Sequence, residues 1–227
     1  MRLAKGLKVV FFDLHGTLAY STLGVDLVDV ISSLLLSLGV KAYTQRVRAA
    51  LSYVLFIDYS ARRFKTYEGF LRQLLLRLES SLPEDRFARL SRELKAYVLD
   101  SYSLYPDTAS TLRNIYERGY SIGVITTTPE FMFKNAIREV RKYIGLIVTG
   151  YEAMCDKSNP DIYLYALRSL EVSPEEALMV GDDIYLDVTI PRQLGMHAVL
   201  LRRDRGGSSP PGVTVIRSLG ELLEIIE

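Results

Sequence analysis

Apolar and polar positions divide the chain into stretches with different periods. Val9, Val10, Phe11 and Phe12 form an unbroken apolar run, which predicts a strand buried on both faces, as in a parallel sheet covered by helices. From residue 19 to about 104 the period becomes helical. Val28, Ile31, Leu35 and Leu38 fall on one face, as do Phe70, Leu74, Leu75 and Leu78, and Phe87, Leu90, Leu94 and Val98, with breaks at Gly39, Thr44, near Thr66 and at Pro83. These stripes predict a helical module whose apolar faces bury one another. Beyond residue 104, strands are predicted over 121–125, at Ile147 and Val148, and over 177–180, 198–201 and 213–216, alternating with helices. Asp107 is expected to cap a helix that Gly119 ends, Ser173 with Glu176 and Ser218 with Glu221 to form capping boxes, and residues 206–212 to form a loop. The class is therefore α/β, a parallel sheet flanked by helices, interrupted by an α-helical insertion.

Candidate chemistry collects where the predicted strands stop. Asp13 follows the first run directly, and Gly16 breaks it. In open α/β sheets the crevice beyond the carboxyl ends of the strands is where ligands bind. A second run ends in Gly181, Asp182 and Asp183, with Asp187 four residues beyond. Carboxylates gathered in a low-dielectric crevice repel unless a cation lies between them, and an oxygen-only donor set with no neighbouring His or Cys pair favours Mg2+. The strand over 121–125 runs into Thr126, Thr127, Thr128 and Pro129; Thr128 as N-cap and Pro129 in the first turn would aim free N–H groups at an anion. Lys157, ahead of Pro160, supplies positive charge.

In this order, the segment from Asp13 to Leu18, the strand ending at Thr126, Lys157 with Pro160, and the acids after Gly181 resemble the motifs of the haloacid dehalogenase-like hydrolase superfamily. The resemblance implies a Rossmann-like catalytic core over residues 1–18 and 105–227 and a helical cap over 19–104. It also implies a Mg2+-dependent phosphatase of small phosphorylated molecules that works through an aspartyl-phosphate. On that reading Asp13 is the nucleophile; Asp13, the His15 carbonyl and Asp182, with Asp183 or Asp187, hold the metal; Thr126, Thr127 and Lys157 bind the phosphoryl group. One departure stands out. His15 occupies the position of a second Asp that shuttles protons in the family's phosphatases, and an imidazole titrating near neutrality can carry that proton instead. Two alternatives remain: a metal-independent 2-haloacid dehalogenase, whose spacing from Lys157 Tyr163 matches, and a member weakened by the loss of that Asp. In the cap, Arg46, Arg48, Arg62, Arg63 and Lys65 are candidates to meet an anionic substrate, and Tyr20, Tyr43, Tyr53 and Tyr59 to line it.

Composition narrows the class. The 227 residues, 48% hydrophobic and 24% charged, suffice for one ample core plus an insertion. A net charge of +1 argues against nucleic acid as a partner. The lone Cys155 has no internal partner for a disulfide. No apolar stretch reaches the length of a membrane span, and the first residues do not read as a signal peptide, so a cytoplasmic monomer or homodimer is expected.

Overall fold

The computed structural model describes residues 6–99, 101–203 and 211–226. A six-stranded sheet runs in the order β5-β4-β1-β6-β7-β8, all neighbours parallel, where β1 is Val9–Phe12, β4 Ser121–Thr126, β5 Leu146–Thr149, β6 Ala177–Gly181, β7 His197–Leu201 and β8 Thr214–Ile216. β1 lies between β4 and β6 and is buried along its whole length. Its alternate residues serve two cores: Val10 and Phe12 pack toward α5 (Thr108–Glu117), Val9 and Phe11 toward α8 (Asp161–Ser169). That two-sided burial is why the run is continuous rather than alternating. On β4, a Cβ at Gly123 would overlap the Phe11 ring, so the large aromatic is accommodated by a glycine on the neighbouring strand.

The insertion contains α1 (Leu27–Ser37), α2 (Thr44–Tyr53), α3 (Tyr67–Arg77) and α4 (Glu84–Leu99), and the predicted stripes meet in one apolar cluster that also takes in Phe131 and Met132. A π-helical turn, Val54–Asp58, extends α2. The insertion is entered and left through a short antiparallel ribbon, β2 (Ala19–Ser21) against β3 (Tyr102–Leu104), where the sequence pattern showed only helices; three residues per strand are too few for a period to register.

Other local expectations are corrected. Asp107 does not cap α5 with its side chain; its carboxylate receives Arg203 and the Leu219 N–H. Ser173 and Glu176 do form a capping box, but Glu221 accepts from the Ser218 hydroxyl and the Arg217 N–H instead of completing one. Of the loop expected over 206–212, residues 206–210 lie outside the described residues. Among the described residues no helix is long and apolar enough to cross a membrane.

Candidate active site

The ends of β1, β4 and β6 bring the predicted polar groups to one crevice. Asp13 directly follows β1, and its N–H donates to the Val180 carbonyl at 2.9 Å, which carries the β-ladder one residue beyond the strand and fixes the carboxylate's origin. Gly16 adopts φ +84°, and a Cβ there would overlap the Asp182 carboxylate. Only glycine permits both that backbone angle and that approach. Gly181 allows a similar close approach on β6, where a Cβ would overlap the Asp187 side chain.

Asp13, Asp182 and Asp187 each direct a carboxylate oxygen to a common point, these atoms lying within 4.8 Å of one another. Lys157 stands behind them. Its Nζ lies 2.7 Å from Asp13 Oδ1 and is also ion-paired with Asp187 Oδ1. All three of these side chains are buried, whereas Asp182 is exposed to the crevice. Burial alone would favour the neutral amine, but Asp13 and Asp187 outweigh it and hold the Lys157 ammonium well above its ordinary range. Burial pushes the Asp187 carboxyl up to about 6 despite Lys157. The Asp13 carboxyl is raised by the same cause, with Lys157 opposing, and Asp182, although open to the crevice, is raised by partial desolvation and by the Asp187 charge. One ammonium among three carboxylates leaves negative charge uncompensated. A hard divalent cation with oxygen ligands fits both the donor set and that charge.

Asp183 does not join this cluster. Its Oδ1 accepts the N–H groups of Tyr185 and Leu186, both at 2.8 Å, capping the π-helical segment Ile184–Thr189 that carries Asp187. In return Asp187 Oδ2 accepts the Asp183 N–H at 3.0 Å. Tyr163, buried in α8, donates to the Leu186 carbonyl at 2.5 Å, tying that helix to the segment bearing Asp187.

At the end of β4 the Thr126 hydroxyl accepts the Thr128 N–H at 3.2 Å, which leaves its own proton free to donate. The expected Thr128 cap is absent; α6 (Glu130–Phe133) starts one residue later, with Pro129 in the cap position. His15 is exposed, its ring edge-on to Tyr102 with centroids 5.8 Å apart. The Tyr102 hydroxyl is hydrogen-bonded to Thr128, and burial raises it. His15, Thr127, Thr128 and Tyr102 line a cavity of about 260 Å3 together with Leu55 and Phe56 of the insertion, Pro129 and Met132.

None of the cap residues singled out in the sequence lines that cavity. Arg48 pairs with Asp26 and Arg46 with Glu79; Arg63 joins Arg77 on the buried Asp58. Arg62 donates to the carbonyls of Tyr151 and Glu152, and Lys65 lies over the Tyr151 ring. Tyr20 packs on Tyr105, Tyr53 lies beneath the Arg77 guanidinium, Tyr43 is solvent-exposed, and Tyr59 is buried with its hydroxyl on Thr149. The cavity residues Leu55, Phe56, Tyr102 and Met132 were not singled out. Apolar residues at helical spacing read as core, although Phe56 and Ile57 are exposed.

The chain has counterparts among known proteins. A sequence model of the family described as "Hydrolase: haloacid dehalogenase-like hydrolase" matches residues 7–195. The chain is 28% identical over 179 residues to a protein of Halopiger xanaduensis named ribulose-1,5-bisphosphate 5-phosphatase, covering 74% of each; it spans about half the length of several other phosphatases that it matches. Among solved structures, a HAD phosphatase from Thermococcus onnurineus superposes with a TM-score of 0.67 at 26% identity, over 96% of this chain and 97% of that one. A 2-haloacid dehalogenase from Pseudomonas syringae superposes at 0.70 with 22% identity over the same shares, a likeness of fold.

Proposed function

Because the chain belongs to the haloacid dehalogenase-like hydrolase family, we propose that this hydrolase is a Mg2+-dependent phosphatase of small phosphorylated molecules that passes its phosphoryl group through Asp13. The observation that carries the reading is the meeting of Asp13, Asp182 and Asp187 within 4.8 Å with Lys157 bridging two of them. Asp13, the His15 carbonyl and Asp182 would hold the ion, with Asp187 bound directly or through water and Asp183 holding the segment in place. Bound there, Mg2+ would neutralise charge on the nucleophile and on the phosphoryl oxygens.

The remaining work falls to the chain. The Asp13 carboxylate attacks phosphorus in line, the bond to the ester oxygen breaks, and His15 protonates the departing alkoxide. Neutral His15 then takes a proton from the water that hydrolyses the aspartyl-phosphate, so inorganic phosphate leaves and Asp13 is regenerated. Thr126 and Thr127 donate to phosphoryl oxygens, and Lys157 balances the carboxylates and stabilises charge on the transferred group. Residues 19–104 act as a cap that excludes water and selects the substrate. The enzyme would act in the cytoplasm, as monomer or homodimer. The hydroxyl of Tyr163 is engaged by the Leu186 carbonyl, which supports phosphoryl transfer over halide displacement.

The test is phosphate release from phenyl phosphate and halide release from a 2-haloacid, each with and without Mg2+. Mg2+-dependent phosphate release is expected. Halide release that ignores Mg2+, with no phosphate released, overturns the reading.

A further inference from the structure

The cavity that His15 and Thr127 line has two chemically different kinds of lining residue. Thr127, Thr128 and the His15 ring are polar, and Tyr102 lies near enough to Asp13 for that charge to act on its hydroxyl. Leu55, Phe56, Pro129 and Met132 are apolar, and no Lys or Arg is among the lining residues. Phe56, on the π-helical turn, is 47% exposed beside a polar reaction centre. An exposed aromatic bordering a cavity is the kind of surface that an apolar ligand covers.

Several of the described cations already have partners. Arg62 is held by two backbone carbonyls and Arg63 by Asp58. Arg203 makes two bonds to the Asp107 carboxylate, one to the Thr17 carbonyl, and stacks over Tyr105. Lys157 is buried between Asp13 and Asp187. A substrate carrying a carboxylate or a second phosphate would place that charge against Leu55 and Phe56, with no Lys or Arg among the lining residues to answer it, which is unfavourable.

Building on the phosphatase reading above, we propose that the preferred substrate is a monoester whose phosphate is its only anionic group and whose leaving group is uncharged, apolar and about the size of one ring, seated on Leu55, Phe56 and Met132. A cavity of about 260 Å3 suits such a group.

Binding of two non-hydrolysable analogues tests this independently of turnover: phenylphosphonate, with an apolar ring, and phosphonoacetate, with a carboxylate, each titrated calorimetrically into the full chain with Mg2+. Phenylphosphonate is expected to bind at least tenfold more tightly. In Phe56→Arg, a change at an exposed position, phosphonoacetate is expected to gain at least tenfold. Equal affinities, tighter binding of phosphonoacetate, or binding of neither analogue overturns the proposal. If the preference is found while phenyl phosphate is not hydrolysed, the catalytic reading falls and the assignment of cavity chemistry stands.

Discussion

Lys157 Nζ lies 2.7 Å from a carboxylate oxygen of Asp13, a residue 144 positions earlier in the chain, and the same ammonium is ion-paired with Asp187. The pairing joins the loop after β1, the loop before α8 and the segment after β6 into one electrostatic unit. Each acid is buried, where an unpaired charge is costly, and this cation opposes that cost for both.

Lys157→Met removes that cation while keeping most of the side chain's volume. Leaving two buried carboxylates unpaired is expected to cost about 3–5 kcal/mol, a fall in Tm of about 10 °C for a chain of this size. Thermal unfolding without added metal measures it, and a Tm within a degree or two of the parent chain contradicts the pairing.

Asp13→Asn preserves shape and hydrogen bonding but not nucleophilicity. Phosphate release should fall by at least about a thousandfold, with far-UV circular dichroism unchanged. Wild-type turnover in this variant removes Asp13 from the nucleophile's role.

His15→Ala separates a proton carrier from a spacer. Loss of general acid–base catalysis predicts a drop of about 100-fold or more in kcat, with His15→Asp recovering most of it. Should His15→Ala be unimpaired on phenyl phosphate, proton transfer belongs to another group. If the parent chain is inert and His15→Asp is active, the chain is instead a weakened member of its family.

Asp187 predicts the pH dependence of metal stabilisation. Its carboxyl titrates at 3.8 in the unfolded chain and at about 6 when folded, so the native state binds the extra proton between these values. The group's contribution therefore falls as pH rises from about 4 to 6, and above 6 the cost of the buried charge is fully present. Mg2+ offsets that cost, so the Tm increment from millimolar Mg2+ should be large at pH 7.5 and small at pH 5. Increments of equal size at the two pH values rule this out.

Gly16→Ala strains φ +84° and drives a methyl group into the Asp182 carboxylate. Displacing Asp182 should weaken Mg2+ activation by about tenfold or more, against a loss of only about 1–2 kcal/mol in stability. Unchanged activation by Mg2+ would show that Asp182 does not need its present position.

Much of the fold was legible because burial on both faces and burial on one leave different periods. Val9–Phe12 and the stripes from Val28 to Val98 follow those periods closely, and both occupy the predicted cores. The ribbon of β2 and β3 was not legible, since three residues carry no period, and neither was Asp107, whose partners Arg203 and Leu219 are distant in sequence.

The residue types at the strand ends, Asp13, Thr126 and Asp182, are set by the chain itself, because a strand buried on both faces must stop where polar groups begin. Which acid joins the cluster and which caps a helix was decided only in three dimensions. Asp183 and Asp187 are chemically alike and four residues apart, but the turn after Gly181 directs one to backbone N–H groups and the other to Lys157. The substrate-facing wall was decided in the same way. Leu55 and Phe56 differ from core residues only in which side of a π-helical turn faces the crevice, and that follows from packing, not from composition.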